Sequence, residues 1–499
     1  MPMTQTSRLR THRTMTIVRG LAVAAALAAL AACKQSDLDI TNPNNATVAG
    51  ANADPTAFQL LASGLLVDVR NTRLGVINNT GILGREMYIF TPQEGRNTTH
   101  YLIGINSNGQ QVLDPSGFVT GVWGAEYNAL RDVFNFKNGV ATNATLTAAG
   151  KAAALGFAQT FEALLLFEVV QTRDTLGGIV EIKADASQPA AFVSRDSMYK
   201  YISATLDAGA TNLANGGGSF PFALSPGFAG FNTPASFALF NRALKGKASA
   251  HYATAGGGAA AWTASLAALN ASFLDASATT RSAFDVGVYN TYGSSPDTPN
   301  GNSVATNTVL YAHTSQLTDV QLKADGVTPD DRYTAKIRTG LTSRQGPVTS
   351  IGPTSASSSL GYKIWPNVTS PVSMIRNEEL ILLRAEARLA TGDKAGAIAD
   401  LNVVRTNSGG LPPSTLTAAS SDAAVLDGIL FEKRYSTLME GNRWVDMRRY
   451  NRLSTLPIDI TSGPNKNFVA RVFPIPQAEC QVRFPLKDQP LFWGPCALQ

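Results

Sequence analysis

Apolar residues recur at helical spacing in eight separated blocks of this chain, and runs with strand alternation are few. A chain patterned in this way buries its apolar stripes by packing helix on helix. The blocks span 57–69, 122–136, 152–170, 197–213, 236–253, 259–273, 377–404 and 426–449, the last being one long helix or a helix pair. Between them lie Gly-, Ser- and Thr-rich connections, above all 276–307 and 339–360, which read as long loops with little regular structure. Loops of that length inside a compact domain are usually either disordered or functional. The expected fold class is mainly all-α with little β.

The clearest local unit lies near the carboxyl end. Leu380, Leu383, Ala387 and Ala390 form one apolar stripe, and Ala395, Ile398, Ala399 and Val403 form a facing one. Between them Thr391-Gly392-Asp393 supplies a helix stop and an N-cap. Two antiparallel helices on so short a turn make a hairpin whose small alanines permit close approach. Its spacing looks like a tetratricopeptide-type repeat, although an unrelated helical hairpin fits this unit equally well. A repeat needs neighbours to bury its outer face, and the earlier blocks supply them.

The amino terminus carries Arg8, Arg10, Arg13 and Arg19 ahead of an apolar, alanine-rich run from Leu21 to Ala32, with no acidic residue before Cys33. This is the pattern of a signal peptide, and the run is too short to span a bilayer comfortably. A start at Met15 would keep Arg19 and the same reading. Leu30-Ala31-Ala32-Cys33 resembles the lipobox of bacterial lipoproteins, which implies cleavage before Cys33 and acyl chains on it. The alternative is a buried N-terminal helix with an incidental cysteine. The expected organisation is therefore a leader over 1–32, a lipidated polar tether over 33–56 and a helical body over 57–499.

Lipid on Cys33 leaves Cys480 and Cys496 as an even pair in an oxidising compartment, where a disulfide closing the C-terminal loop is expected and two free thiols are the alternative. Net charge is +5, and near +1 once the four leader arginines are gone, so basicity gives no reason to expect nucleic acid. Charged residues make up only 15% of the chain, against about 25% in ordinary domains, a composition suited to neutral, hydroxyl-rich ligands.

Along most of its length the chain resembles the SusD/RagB family. The resemblance rests on Arg376-Asn377-Glu378-Glu379-Leu380, Leu383-Arg384-Ala385-Glu386-Ala387, Gly392, Ala397 and Leu401-Asn402-Val403-Val404-Arg405. It continues through Ile429, Glu432, Lys433, Glu440-Gly441, Arg443-Trp444, Asp446 and Arg449, then Phe473-Pro474-Ile475-Pro476 and Glu479. Upstream, Trp123, Tyr127 and Asn135 have the family's spacing, as do Leu206, Asp207, Ala210 and Leu213. Ser436 departs from the family's usual glutamate, Glu162 from a common arginine, and Trp493-Gly494-Pro495-Cys496 from its terminal Asn-Pro-Gly stretch. The resemblance implies tetratricopeptide-like helix pairs carrying an irregular, loop-rich subdomain. It also implies a lid on a TonB-dependent outer-membrane transporter that captures oligosaccharides or other nutrients.

Glu378, Glu379, Arg384, Glu386, Glu432, Arg443, Asp446 and Arg449 form a charged constellation. In a glycoside hydrolase paired carboxylates would act as acid and base. Glu432, however, shares a helical face with Val425, Ile429 and Met439, so it needs a buried partner, and structural ion pairing is the expected role of the set. His100, His251 and His313 lack ligand spacing, and no nucleophile elbow, phosphate loop or Cys-x-x-Cys pair occurs, so no metal, cofactor or catalysis is expected. Sugar capture asks for aromatic faces beside planar polar groups. Arg96, Asn97 and Tyr101, with Tyr289, Tyr292 and Trp365, are the candidates on loops, each with a small-core anchor as its alternative. Trp123, Tyr127, Trp262 and Trp444 sit in helical patterns as core or interhelical contacts. The expected function is nutrient binding at the outer membrane. A periplasm-facing helical-repeat scaffold and a glycoside hydrolase are the alternatives.

Overall fold

The computed structural model describes residues 55–497 except 92, 108, 186, 295–296 and 346–355. The leader, Cys33 and nearly all of the proposed tether lie outside the described residues. Ten helices are numbered here: α1 (Pro55–Leu83), α2 (Thr120–Thr142), α3 (Ala148–Arg173), α4 (Arg195–Ala214), α5 (Pro234–Tyr252), α6 (Gly258–Asn270), α7 (Asn377–Ala390), α8 (Lys394–Asn407), α9 (Asp422–Ser436) and α10 (Arg443–Arg449). They pack as antiparallel pairs, α1 with α2, α3 with α4, α5 with α6 and α7 with α8, each pair against the next.

Helix α3 is apolar on every side, and such a helix must lie inside. It is long and apolar enough to cross a membrane, yet 89% of that stretch is buried within the protein, so it is the central helix of the body. Close approach to α4 depends on glycine: a Cβ on Gly156 would fall 2.6 Å from Leu213 Cγ and 2.8 Å from the Gly209 carbonyl. Phe157, Phe161, Phe237 and Phe240 then interlock around it with ring centroids 4.9–6.3 Å apart.

Helix starts follow side-chain chemistry. Thr147, Ser194, Ser421 and Asp393 each accept a bond from a backbone N–H in the first turn of the helix that follows, and Thr233 and Ser236 form a capping box across Pro234, the first residue of α5. The expected hairpin is present as α7 and α8. Gly392 takes φ of 90° at the turn, and Asp393 caps Gly396 N at 2.9 Å. Ala385, Ala397, Ile398 and Leu401 close its interior against Val425 and Ile429 of α9.

One helix runs far past the sequence reading, and an alternative left open there is decided. α1 begins at Pro55 and continues to Leu83, well past 69, because its polar residues after Val69 are themselves buried and bonded, Thr72 to Glu168 and Arg73 to Glu168. The 426–449 block is a helix pair, broken where Met439 (φ 60°) and Gly441 (φ 78°) turn the chain.

Among the described residues the loop-rich layer is held by five two-stranded antiparallel sheets. Strands are β1 (Met87–Ile89), β2 (Ile105–Ser107), β3 (Gln110–Val112), β4 (Gly287–Asn290), β5 (Leu310–Ala312), β6 (Ile337–Arg338), β7 (Arg344–Gln345), β8 (Ser357–Ser358), β9 (Gly361–Tyr362) and β10 (Val372–Arg376). Pairs are β1 with β5, β2 with β3, β4 with β10, β6 with β9 and β7 with β8. The segments read as long loops with little regular structure contain β4, β7, β8 and a helical turn at Arg281–Phe284, each of two to four residues. Beneath this layer a second core gathers Tyr88, Phe90, Tyr311, Tyr435, Trp444 and Phe473. Trp444 donates to the Ala470 carbonyl at 2.8 Å, and the Tyr127 hydroxyl bridges the N–H and C=O of Ile179. Trp123 and Trp262 are buried in the helical core, as expected. Near the C-terminus Cys480 and Cys496 are joined in a disulfide.

Candidate functional site

β10 runs directly into α7, and the pairing of β10 with β4 sets Ser373 opposite Tyr289. On the other side the helix Asp331–Lys336 leads into β6, whose partner β9 leads out to Lys363 and Trp365. These elements and the α9–α10 turn enclose a cleft of about 650 Å³. Tyr289 and Trp365 line it together with Ser373, Asn407, Ser408 and Met439. Tyr289 is half-buried and donates its hydroxyl to the Asp285 carbonyl at 2.5 Å, which fixes its ring. It also borders a smaller cavity of about 380 Å³ beside Gln59 and Arg70.

The floor is a buried ionic network. Arg376 pairs with Glu378 and, at 2.8 Å, with Glu440, while Arg281 reaches Glu378 at 2.6 Å and Asp285 at 2.8 Å. Hydroxyls of Ser408 and Ser436 donate to the other Glu378 oxygen at 2.6 and 2.8 Å. Burial alone would raise the Glu378 carboxyl, but the charges of Arg376 and Arg281 outweigh it and hold the group well below the usual carboxylate range. Arg332, wholly buried, pairs with Asp330 and Glu432 at 2.5 Å each, and Arg405 reaches Glu432 at 2.8 Å. Glu386 is bound by Lys433, Arg449 and the Tyr450 hydroxyl, and Asp446 by the same Lys433 and Arg449. Arg384 holds Asp400 with two bonds, of 2.7 and 2.8 Å, tying α7 to α8. Glu379, also buried, pairs with Lys247 at 2.7 Å.

Arg443 departs from its expected role as an ion-pair partner. It donates to the Gly84 carbonyl at 3.1 Å, and burial together with the like charge of Arg434 pulls its guanidinium down to about 10. The acidic residues lining the cleft are all paired: Asp285 with Arg281, Asp331 with Lys323 and Glu440 with Arg376.

Of the six expected sugar contacts, only Tyr289 and Trp365 come together. Trp365 is 4% exposed, a core residue that shows the cleft only part of its ring. Tyr101 and Tyr292 are core anchors, 4% and 7% exposed, and Arg70 lies over the Tyr292 ring. The segment read as a loop there is helical, so Tyr101 points inward. Arg96 is exposed but occupied, bound to Glu94 and stacked 4.9 Å from the centroid of Phe118; Asn97 leans on the Glu94 carbonyl. Sequence reasoning missed Lys336 and Lys363, which line the cleft with Arg281 and Arg332. The two lysines flank the loop read over 339–360, and two-residue strands leave no alternation that would mark them.

The fold and the site together define a class: paired helices in a tetratricopeptide-like scaffold, carrying an irregular layer with a polar cleft at the junction. Residues 365–490 match the sequence model of the SusD family. No curated protein matches the chain in sequence. Among solved structures, a SusD superfamily protein from Bacteroides vulgatus is similar at 15% identity and a TM-score of 0.62, over 86% of this chain and 97% of its own. NanU of B. fragilis gives 15% identity and 0.60 over 90% and 98%, and a laminarin binding SusD-like protein 14% and 0.58 over 85% and 97%. Identities this low speak for the fold alone. The match to residues 365–490 makes that stretch similar in sequence to the SusD family.

Proposed function

We propose that this protein is a lipid-anchored nutrient-binding subunit of the outer membrane, facing the cell exterior. It captures oligosaccharides in the cleft beside Tyr289 and Trp365 and passes them to a TonB-dependent transporter. It works by binding, without covalent chemistry. The carrying observation is the cleft itself, a space of about 650 Å³ that combines two aromatic residues with amide, hydroxyl and cationic groups. The likeness of residues 365–490 to the SusD family supports the same reading, and one structural relative is described as laminarin binding. A hydrolase would need one carboxylic acid and one free carboxylate flanking the bond to be cut. Here the lining carboxylates are already engaged by cations.

An oligosaccharide array probed with the protein tests the proposal. Retention of at least one glycan is expected, weakened at least tenfold by Tyr289→Ala. Retention that ignores this substitution would place the site elsewhere, and release of reducing ends by the purified protein would restore the hydrolase reading.

A further inference from the structure

Lys336 and Lys363 stand opposite one another. Ile337 pairs with Tyr362 across β6 and β9, and the next rung outward is Lys336 with Lys363, whose N–H donates to the Lys336 carbonyl at 2.8 Å. Lys336 closes the helix Asp331–Lys336 and Lys363 follows β9, so the two flank the same end of the β6–β9 pair. Among the described residues neither ammonium has a carboxylate at ion-pair distance. Lys336 spends two N–H groups on the carbonyls of Tyr435 (2.8 Å) and Ser436 (2.5 Å), and Lys363 spends one on Thr334 (3.0 Å). One donor on Lys336 and two on Lys363 remain. Both side chains line the cleft.

The neighbouring charges leave this pair uncompensated. Arg376 and Arg281 face Lys336 from β10 and the Arg281–Phe284 turn, and Glu378 and Glu440 face it from α7 and the α9–α10 turn. Those two carboxylates already pair with the two arginines. Arg332 on the same wall is likewise held by Asp330 and Glu432. Burial, followed by the charge of Arg376, brings the Lys336 ammonium down to about 8, as expected of a cation lacking a counter-ion. In a chain whose composition is poor in charge, two lysines on a cleft wall without carboxylate partners, one of them destabilised by burial and by Arg376, leave positive charge that an anion entering the cleft would offset.

We infer that the cleft takes an acidic sugar, whose carboxylate or sulfate group sits between Lys336 and Lys363 while its ring lies toward Tyr289. This rests on the cleft being the glycan site. Lys363 is exposed and supplies attraction at the mouth; Lys336, half-buried, supplies the inner contact.

The test is calorimetric titration of the full chain with three probes: an oligogalacturonate, a carrageenan oligosaccharide and a neutral galactan oligosaccharide. One acidic probe should bind at least tenfold more tightly than the neutral one and weaken as salt rises. Lys363→Gln should remove most of that preference. Lys363→Glu should abolish it and leave the binding of the neutral probe within twofold of the native protein; a lysine with a purely structural role would weaken all three probes alike. Tighter binding of the neutral probe would overturn the inference and leave glycan capture standing. Acidic binding indifferent to both substitutions, or binding of neither acidic probe, would also overturn it, while glycan capture itself falls only if the array retains no glycan.

Discussion

Glu86 is a carboxyl in a place where a charge is expensive. It is 1% exposed, accepts one bond from the Met439 N–H at 3.3 Å, and has no hydrogen-bond partner for its second oxygen among the described residues. Burial raises the group from 4.5 to about 8, against the opposing pull of Arg443. The folded protein therefore holds this proton where the unfolded chain would release it. Its contribution to stability is fully present below about pH 4.5 and is lost as pH rises through about 8. The slope in that window is about 1.4 kcal/mol per pH unit. Glu86→Gln keeps an oxygen for Met439 and removes the titration, so it should flatten the pH dependence of urea midpoints and stabilise the protein at pH 8. Midpoints that fall in parallel for both proteins from pH 5 to 8 would refute this account. Single residues of this kind were only partly legible in the sequence. Glu432 was, because helical phase placed it on the face of Val425 and Ile429, but its strongest partner, Arg332, lies 100 residues upstream where no periodicity points to it. Ser436 was visible as a departure from the family's glutamate, yet its actual service, receiving Arg332 and donating to Glu378, required the fold.

At the scale of elements, the contrast between two glycines isolates what packing asks of a helix. Gly156 in α3 touches Leu213 and the Gly209 carbonyl so closely that a methyl group must displace backbone, whereas Gly124 in α2 is exposed and meets nothing within 4 Å. Gly156→Ala should lose about 1–3 kcal/mol through overpacking. Gly124→Ala should gain up to about 1 kcal/mol, because alanine has less backbone freedom to lose. Denaturation midpoints moving in the same direction for both variants would rule out the close α3–α4 contact as described. The longer helices were readable because each carries its own apolar stripe and cap, as the α7–α8 hairpin shows through Asp393. Short strands were not. β6 and β9 are two residues each, with the 22 residues 339–360 between them in sequence, so their register is information absent from either segment alone.

For the whole molecule, the separation of labour is between a rigid stack of helix pairs and a cleft built where that stack meets the loop layer. The disulfide between Cys480 and Cys496 fits an oxidising compartment, as does the proposed export of the chain. In the proposed arrangement Cys33 is the sole link to the membrane, and the charge-poor body adds little electrostatic attraction to lipid. Stable attachment then needs more than one acyl chain, since each buried methylene contributes about 0.8 kcal/mol and a single chain binds only marginally. Cys33→Ser should therefore leave the leader uncut, giving a larger precursor, whereas the native chain should be processed and pellet with the outer membrane. Protease added to intact cells should digest the native body, because its cleft must face the nutrients it collects. Unchanged processing and pelleting of the serine variant would remove the anchor from the account. A native body that survives the protease until the cells are broken would instead favour an inward-facing scaffold, and the glycan cleft would then open toward the periplasm, downstream of the transporter it is proposed to serve.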